Sequence, residues 1–210
     1  MTKTNQQKVK DFLINNGVII VMFILVIYTG FTSDNFFTKN NFMNILMNMS
    51  SRLVIALGIA GCVITAGCDL SAGRMIGFGA CISGMLLQRM DYSGKFFPDM
   101  QPLNVFVVAL IAMLVCAAFG TVTGFFIAYL NVPPFIATLA MMEIVYGIGL
   151  IVTNATPLGG YVEQYTNVSN GKFLGINYLI WIAIIVAAIT WFIFNMTRHG
   201  KYMYAIGGNP

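Results

Sequence analysis

The sequence predicts an all-α, polytopic helical membrane protein with about six transmembrane helices, and three observations carry that reading. Hydrophobic residues make up 58% of the chain and charged ones 9%, with a mean hydropathy of +0.81, against about 25% charged in an ordinary soluble domain. No charged side chain lies between Asp99 and Glu143, a gap that no globular core requires. The apolar runs are continuous instead of alternating at period two, which argues against an outer-membrane barrel.

Residues 1–210 then form a single membrane domain. The formal charge of +4 is mostly terminal, with Lys3, Lys8 and Lys10 at one end and Arg198 and Lys201 at the other. No basic stripe interleaves with aromatics, so the sequence offers nothing to a nucleic acid. Cys62, Cys68, Cys81 and Cys116 sit in or beside apolar runs without a C-x-x-C pair. Small buried hydrophobes are expected of them, and a metal site is not.

Taken in order, residues 1–11 are a polar, basic tail. The first span has its apolar centre from Val18 to Phe31, and no small-residue cleavage site follows it. It is therefore expected to be retained. Asp34 to Asn48 reads as a short interfacial loop or helix. Arg52 opens the second span, which ends at Gly67; the third runs from Gly73 to Gln88. At about 1.5 Å per residue these reach roughly 25 and 22 Å, short of a hydrocarbon core about 30 Å thick. The turn between them is expected at the far interface or slightly below it.

The fourth span, Leu103 to Leu130, is long enough to tilt or protrude, and Gly120 and Gly124 give it a small-xxx-small face suited to helix packing. Asn131-Val132-Pro133-Pro134 ends it, because a residue before proline is pushed out of the α region. Pro134 suits the first turn of the fifth span, where its missing N–H costs nothing. Residues 153–175 are the longest polar stretch and read as an extracytoplasmic loop. The sixth span, Ile176 to Phe194, carries Trp181 and Trp191 toward its ends. Basic tails on the inner side place residues 1–11 and 197–210 in the cytoplasm. Lys39, Arg52, Arg89, Lys95 and Lys172 would then all lie outside, so the orientation rests on the tails alone.

The candidate site is the stretch Gly67 to Gly79, which sets an acid, a base and a serine between two lipid-like runs. Asp69, Ser71, Gly73 and Arg74 form a helix-break hairpin. Charges beside apolar spans face a bundle interior or an interface more often than acyl chains, and short glycine-broken spans mark transporter sites. Asp69-Leu70-Ser71 can equally simply cap the next helix, a role that coexists with the other, and Gly73 and Gly77 suit close helix contact. Glu143 falls roughly 13 Å into the fifth span. It is either hydrogen-bonded between helices or set along a polar path. Each Gly-Lys pair lacks the flanking residues of a phosphate-binding loop, and no Ser/His/Asp set is present. The reading is a transporter component, not an enzyme.

Three motifs occur in a telling order: Cys68-Asp69-Leu70-Ser71-Ala72-Gly73-Arg74, Asn131-Val132-Pro133-Pro134-Phe135-Ile136-Ala137-Thr138-Leu139, and Tyr204-Ala205-Ile206-Gly207-Gly208-Asn209-Pro210. Together they resemble permease subunits of bacterial sugar ABC importers, the ribose/xylose/galactose group. Met90-Asp91, Phe97-Pro98 and Ile144-Val145-Tyr146-Gly147-Ile148 are most similar to its galactose/methyl-galactoside branch. The resemblance implies a vitamin-B12-importer-type permease fold in the bacterial inner (plasma) membrane. It implies a second permease subunit, as a homodimer, around a central path. It also implies a periplasmic or lipid-anchored sugar-binding protein outside and an ABC ATPase subunit inside. ATP would sit on that partner, so no cofactor is expected in this chain. Gly207, Gly208, Asn209 and Pro210 would begin the ATPase-coupling loop. Family members continue past this point, so the sequence is expected to be an N-terminal portion. An ion-coupled secondary sugar transporter with Glu143 as proton carrier, or a non-transporting membrane subunit, are the competing expectations.

Overall fold

The computed structural model describes residues 13, 14 and 16–208. The expected tail over 1–11 and the coupling-loop residues Asn209 and Pro210 lie outside them. Eight helices and one two-stranded hairpin are seen among the described residues: α1 (Gly17–Thr32), α2 (Lys39–Ile64), α3 (Ala72–Leu86), α4 (Val105–Leu130), α5 (Pro134–Thr153), α6 (Glu163–Asn170), β1 (Lys172–Phe173), β2 (Ile176–Asn177), α7 (Tyr178–Met196) and α8 (Arg198–Gly208). Helices α2, α4, α5 and α7 are long and apolar enough to cross a membrane, while α1 and α3 are apolar but shorter. The chain is an all-α polytopic membrane protein. It divides into two compact units, one up to Asn48 and one from Met49 onward.

In the first unit, α1 buries no residue, as befits a helix solvated by lipid. Its hydroxyls turn back on their own carbonyls, Thr29 to Leu25 at 2.8 Å and Thr32 to Tyr28 at 2.9 Å, which removes unmet donors from an apolar run. Gly30 lets the Phe37 ring lie directly on the helix backbone, where a Cβ would collide with it. Thr38 caps α2 through Asn41 N–H at 3.3 Å. The expected interfacial segment Asp34–Asn48 is thus mostly the start of α2, and Arg52 lies well inside that helix instead of opening it. Asn and Phe read as loop formers only when no apolar run follows; here the following run recruits them.

In the second unit the core joins α3, α4 and α5 through Phe78, Ile82, Met141 and Val145, with Met75, Ile111 and Phe119 packed around them. Phe78 meets Phe119 edge to face, ring centroids 5.6 Å apart, a favoured aromatic geometry. α3 runs parallel to α5: Arg74 lies on Tyr146, Phe78 lies against Gly149, and Gly84 faces Leu158.

Three helix ends share one device. At the end of α2, Gly67 N–H donates to Cys62 O at 2.8 Å and Ala66 N–H to Val63 O at 3.1 Å, with Ala66 left-handed at φ 56°. Asn131 and Asn154 take the same left-handed place after α4 and α5. This wrap satisfies carbonyls that would otherwise end unpaired. α4 therefore stops at Leu130 through Asn131, ahead of the two prolines, and Pro134 does open α5.

The polar segment after α5 is not a plain loop. It holds α6 and the β1–β2 hairpin, whose turn residues Leu174 and Gly175 both have positive φ, the twist-matched form. Asn177 caps α7 through Leu179 N–H at 2.8 Å and donates to Ser169 O at 2.6 Å.

At the end of α3, the third expected span stops two residues early, at Leu86. Gln88, 1% exposed, leaves the helix and holds the neighbouring loops together. Its amide donates to Gly159 O at 3.0 Å and accepts from Phe96 N–H at 2.7 Å. Arg89 N–H to Gly160 O and Val162 N–H to Leu87 O complete the clamp. Tyr92 covers Gly160, whose φ is +70°. Burial raises the Tyr161 phenol above its ordinary range, helped by Tyr165, Cys81 and Tyr92; its O–H donates to Leu158 O at 2.8 Å.

Candidate functional site

After the wrapped end of α2, the chain runs through Cys68 to Asp69 and turns into α3. Asp69 Oδ1 accepts from Ser71 N–H at 2.9 Å and from the Ser71 hydroxyl at 2.7 Å. The capping expectation is met only in part. The carboxylate fixes the turn two residues on, and Ser71, 5% exposed, stands at the N-cap without a side-chain bond into the helix. The first-turn N–H groups of α3 are not taken by Asp69.

Register with α5 sets the depth of this break. Arg74 lies beside Tyr146, twelve residues beyond Pro134, or roughly 18 Å along the helix. The first turn of α3 thus lies well along α5 and not level with its start. The parallel packing of α3 on α5 sets by side-chain fit where this turn falls along α5.

Asp69 and Ser71 open onto a cavity of about 480 Å³ between α2, α3 and α4, lined also by Gly58, Gly79, Cys116 and Gly120. That volume lies in the range of small-molecule sites, about 300–1,000 Å³. A second hollow of about 200 Å³ lies between α3 and α5, with Gly73, Arg74, Gly77 and Tyr146 on its wall. A Cβ on Gly73, Gly77, Gly120 or Gly124 would meet nothing within 4 Å. The close helix contacts expected of these glycines are absent among the described residues; they leave bare backbone on open faces.

Arg74 is exposed, its guanidinium carbon 3.9 Å from the Tyr146 ring centroid, a cation–π contact. Glu143 is also exposed. Neither makes an ion pair or a hydrogen bond among the described residues, where the one ion pair seen is Arg89 with Asp91 at 3.6 Å. Of the two expectations for Glu143, a hydrogen bond to a neighbouring helix is not seen among the described residues. The acid points outward because α3 and α4 take up the other sides of α5. The cysteines are less buried than expected: Cys62 and Cys68 are exposed, and Cys81 and Cys116 half-buried.

The segment expected to begin a coupling loop is helical up to Gly208. α8 turns tightly off α7 because Gly200 lets Phe194 O sit against its backbone, and Gly207 does the same for Ile64 O at the end of α2. Met203, 8% exposed, fills the space beside Gly61. The structure thus places Gly207 next to the helix end that leads into Asp69. It does not bring Asp69 and Glu143 into contact. Tyr146 and Gln88 were not singled out from sequence. Tyr146 could have been found from its spacing, three residues after Glu143 on one helical face; Gln88 carries no such signal.

These features define a class: a polytopic helical membrane protein with an internal helix break and ionic groups inside an apolar frame. A family model described as "Branched-chain amino acid transport system / permease component" matches residues 41–210, and the chain belongs to that family. It is 39% identical to the galactose/methyl galactoside import permease protein MglC of Escherichia coli (strain K12), over all of this chain and 65% of that protein. The corresponding protein of Haemophilus influenzae is 40% identical over the same shares. The ribose import permease protein RbsC of Escherichia coli (strain K12) is 31% identical over 95% of this chain and 60% of that protein. The chain thus spans 65% or less of these relatives' lengths. No solved structure matches it.

Proposed function

We propose that the chain is a membrane-spanning part of an ABC importer that moves a monosaccharide, galactose or a methyl-galactoside, across the bacterial inner membrane. The observation that carries this is the alignment of the chain with galactose/methyl galactoside import permeases at 34–40% identity, against 29–31% for ribose permeases. The chain is a transport component and not an enzyme. ATP is handled by a separate ATPase subunit, and a sugar-binding protein delivers cargo on the far side. A second permease subunit completes the path, and the N-terminal tail and α8 face the cytoplasm.

Within this reading Asp69 and Ser71 hold the turn that starts α3, and Gly73 and Arg74 present the first turn of that helix to the path or to a neighbour. Glu143 is the matching acid on α5. Gly207 and Gly208, with Asn209 and Pro210, lead toward the ATPase. The contact of Gly207 with the end of α2 supports a route by which movement there reaches the Asp69 turn.

Deleting the gene should abolish high-affinity uptake of labelled methyl-galactoside while leaving ribose uptake in place. Restoring the complete gene product should recover it. An Asp69→Ala version should insert normally and transport poorly. Loss of ribose uptake with galactoside uptake untouched would reverse the sugar assignment.

A further inference from the structure

The β1–β2 hairpin ends in a turn whose first residue is the wrong type for it. Leu174 and Gly175 both have positive φ, 53° and 79°, and turns of this kind favour Asn, Asp or Gly at both places. Leucine is strained there and buries little within the chain, since Leu174 is 79% exposed and Phe173 beside it 54%. A strained residue kept in place is a pointer to function, and here the strain holds two bare apolar side chains at a hairpin tip.

The seat of the hairpin on α7 identifies what meets them. Asn177, the last residue of β2, caps α7 through Leu179 N–H, so the strands join that helix directly and the tip folds back along its first turn. The Trp181 indole donates to Phe173 O at 3.3 Å, and the two rings meet edge to face with centroids 6.1 Å apart. Trp181 stands one turn into a helix long and apolar enough to cross a membrane, the place where tryptophan marks a bilayer boundary. Tyr178, Ile182 and Ile185 continue an exposed apolar face of α7. Lys172, the one base in the sequence between Lys95 and Arg198, adjoins the tip and is exposed. A base next to bare apolar side chains, level with an interfacial tryptophan, is the chemistry of a lipid-surface contact. A polypeptide cover would crowd the ammonium group out of water.

We propose that the hairpin tip is a lipid anchor. Phe173 and Leu174 enter the boundary between headgroups and acyl chains beside α7, and Lys172 meets an anionic headgroup. The anchor fixes the level of α7 in the bilayer at its first turn. It rests on the membrane-spanning character of the chain and not on the identity of any cargo.

The test uses the complete gene product, its native cysteines replaced by alanine, in vesicles of phosphatidylcholine and phosphatidylglycerol. An environment-sensitive fluorophore is attached at Leu174→Cys and, for comparison, at Asp99→Cys, exposed in the polar loop between α3 and α4. A lipid carrying a nitroxide near the top of its acyl chain should quench the Leu174→Cys probe at least about threefold more than the Asp99→Cys probe, as insertion by about 5–10 Å requires. Aqueous iodide should quench them in the reverse order. Leu174→Asn suits the left-handed position better, so the hairpin is kept while its apolar tip is lost. It should raise iodide access to a probe at Lys172→Cys about twofold. A Leu174→Cys probe quenched by iodide and not by lipid overturns the proposal. So does one shielded from both, which would put polypeptide over the tip, and so does Leu174→Asn with no change at the Lys172→Cys probe in protein that inserts normally.

Discussion

At the C-terminal end of α3, Gln88 is 1% exposed and uses both ends of its amide, tying the Gly159 and Phe96 backbones together. At the N-terminal end of the same helix, exposed Arg74 touches one aromatic ring, and Glu143 nearby on α5 touches no polar partner among the described residues. The first end is a closed account of donors and acceptors, which makes a rigid anchor. The second is left open, and polar groups left open inside an apolar frame are where other molecules act. One helix thereby carries a closed end and an open end.

The comparison is tested most severely by Gln88→Leu. It removes two hydrogen bonds and strands a carbonyl and an N–H in a buried corner, and should destabilise the detergent-solubilised protein by about 2–4 kcal/mol. Arg74→Leu should change thermal unfolding by less than about 0.5 kcal/mol. Equal losses would erase the distinction between the two ends. Gly160→Ala comes next. Its φ of +70° and the overlying Tyr92 ring predict a loss of at least about 1–2 kcal/mol, again read from thermal unfolding.

Ala66→Gly should act in the opposite sense. Glycine relieves the left-handed strain at the wrapped end of α2, for a gain of about 0.5–1 kcal/mol. No gain would show that Ala66 is not held left-handed. Gly73→Ala, where a Cβ meets nothing, should leave unfolding within about 0.5 kcal/mol of the parent. The smallest effect concerns Tyr161. Because its folded pKa is raised, the stabilising contribution is complete below the ordinary phenol value of about 10 and is lost as pH climbs through the folded value. Tyr161→Phe should flatten that alkaline limb of the stability curve.

Much of this could be read before any coordinates. The charge-free run from Asp99 to Glu143 required helices in lipid, and Pro134 at the start of α5 followed from its missing N–H. The motifs around Asp69 and Asn131 pointed to the permease family. What escaped depended on contacts between distant segments. Gln88 looks like one more residue at a span's end until Gly159, seventy-one positions away, is brought beside it. The level of the break along α5 could not be counted from sequence, because Phe78 packing on Gly149 sets it. Glycine spacing also misled: Gly73-x-x-x-Gly77 and Gly120-x-x-x-Gly124 signal close packing, yet both faces are open, since spacing cannot say whether the partner helix belongs to the same chain.

The proposed function requires transport driven by a separate ATPase and not by Glu143 carrying protons. The direct measurement is uptake of labelled methyl-galactoside by cells carrying the complete gene product, with ATP depleted or the proton gradient collapsed at constant ATP. Uptake that stops with ATP depletion and survives collapse of the gradient is the predicted result. Uptake that survives ATP depletion but stops with the gradient, and is abolished by Glu143→Gln, would contradict it.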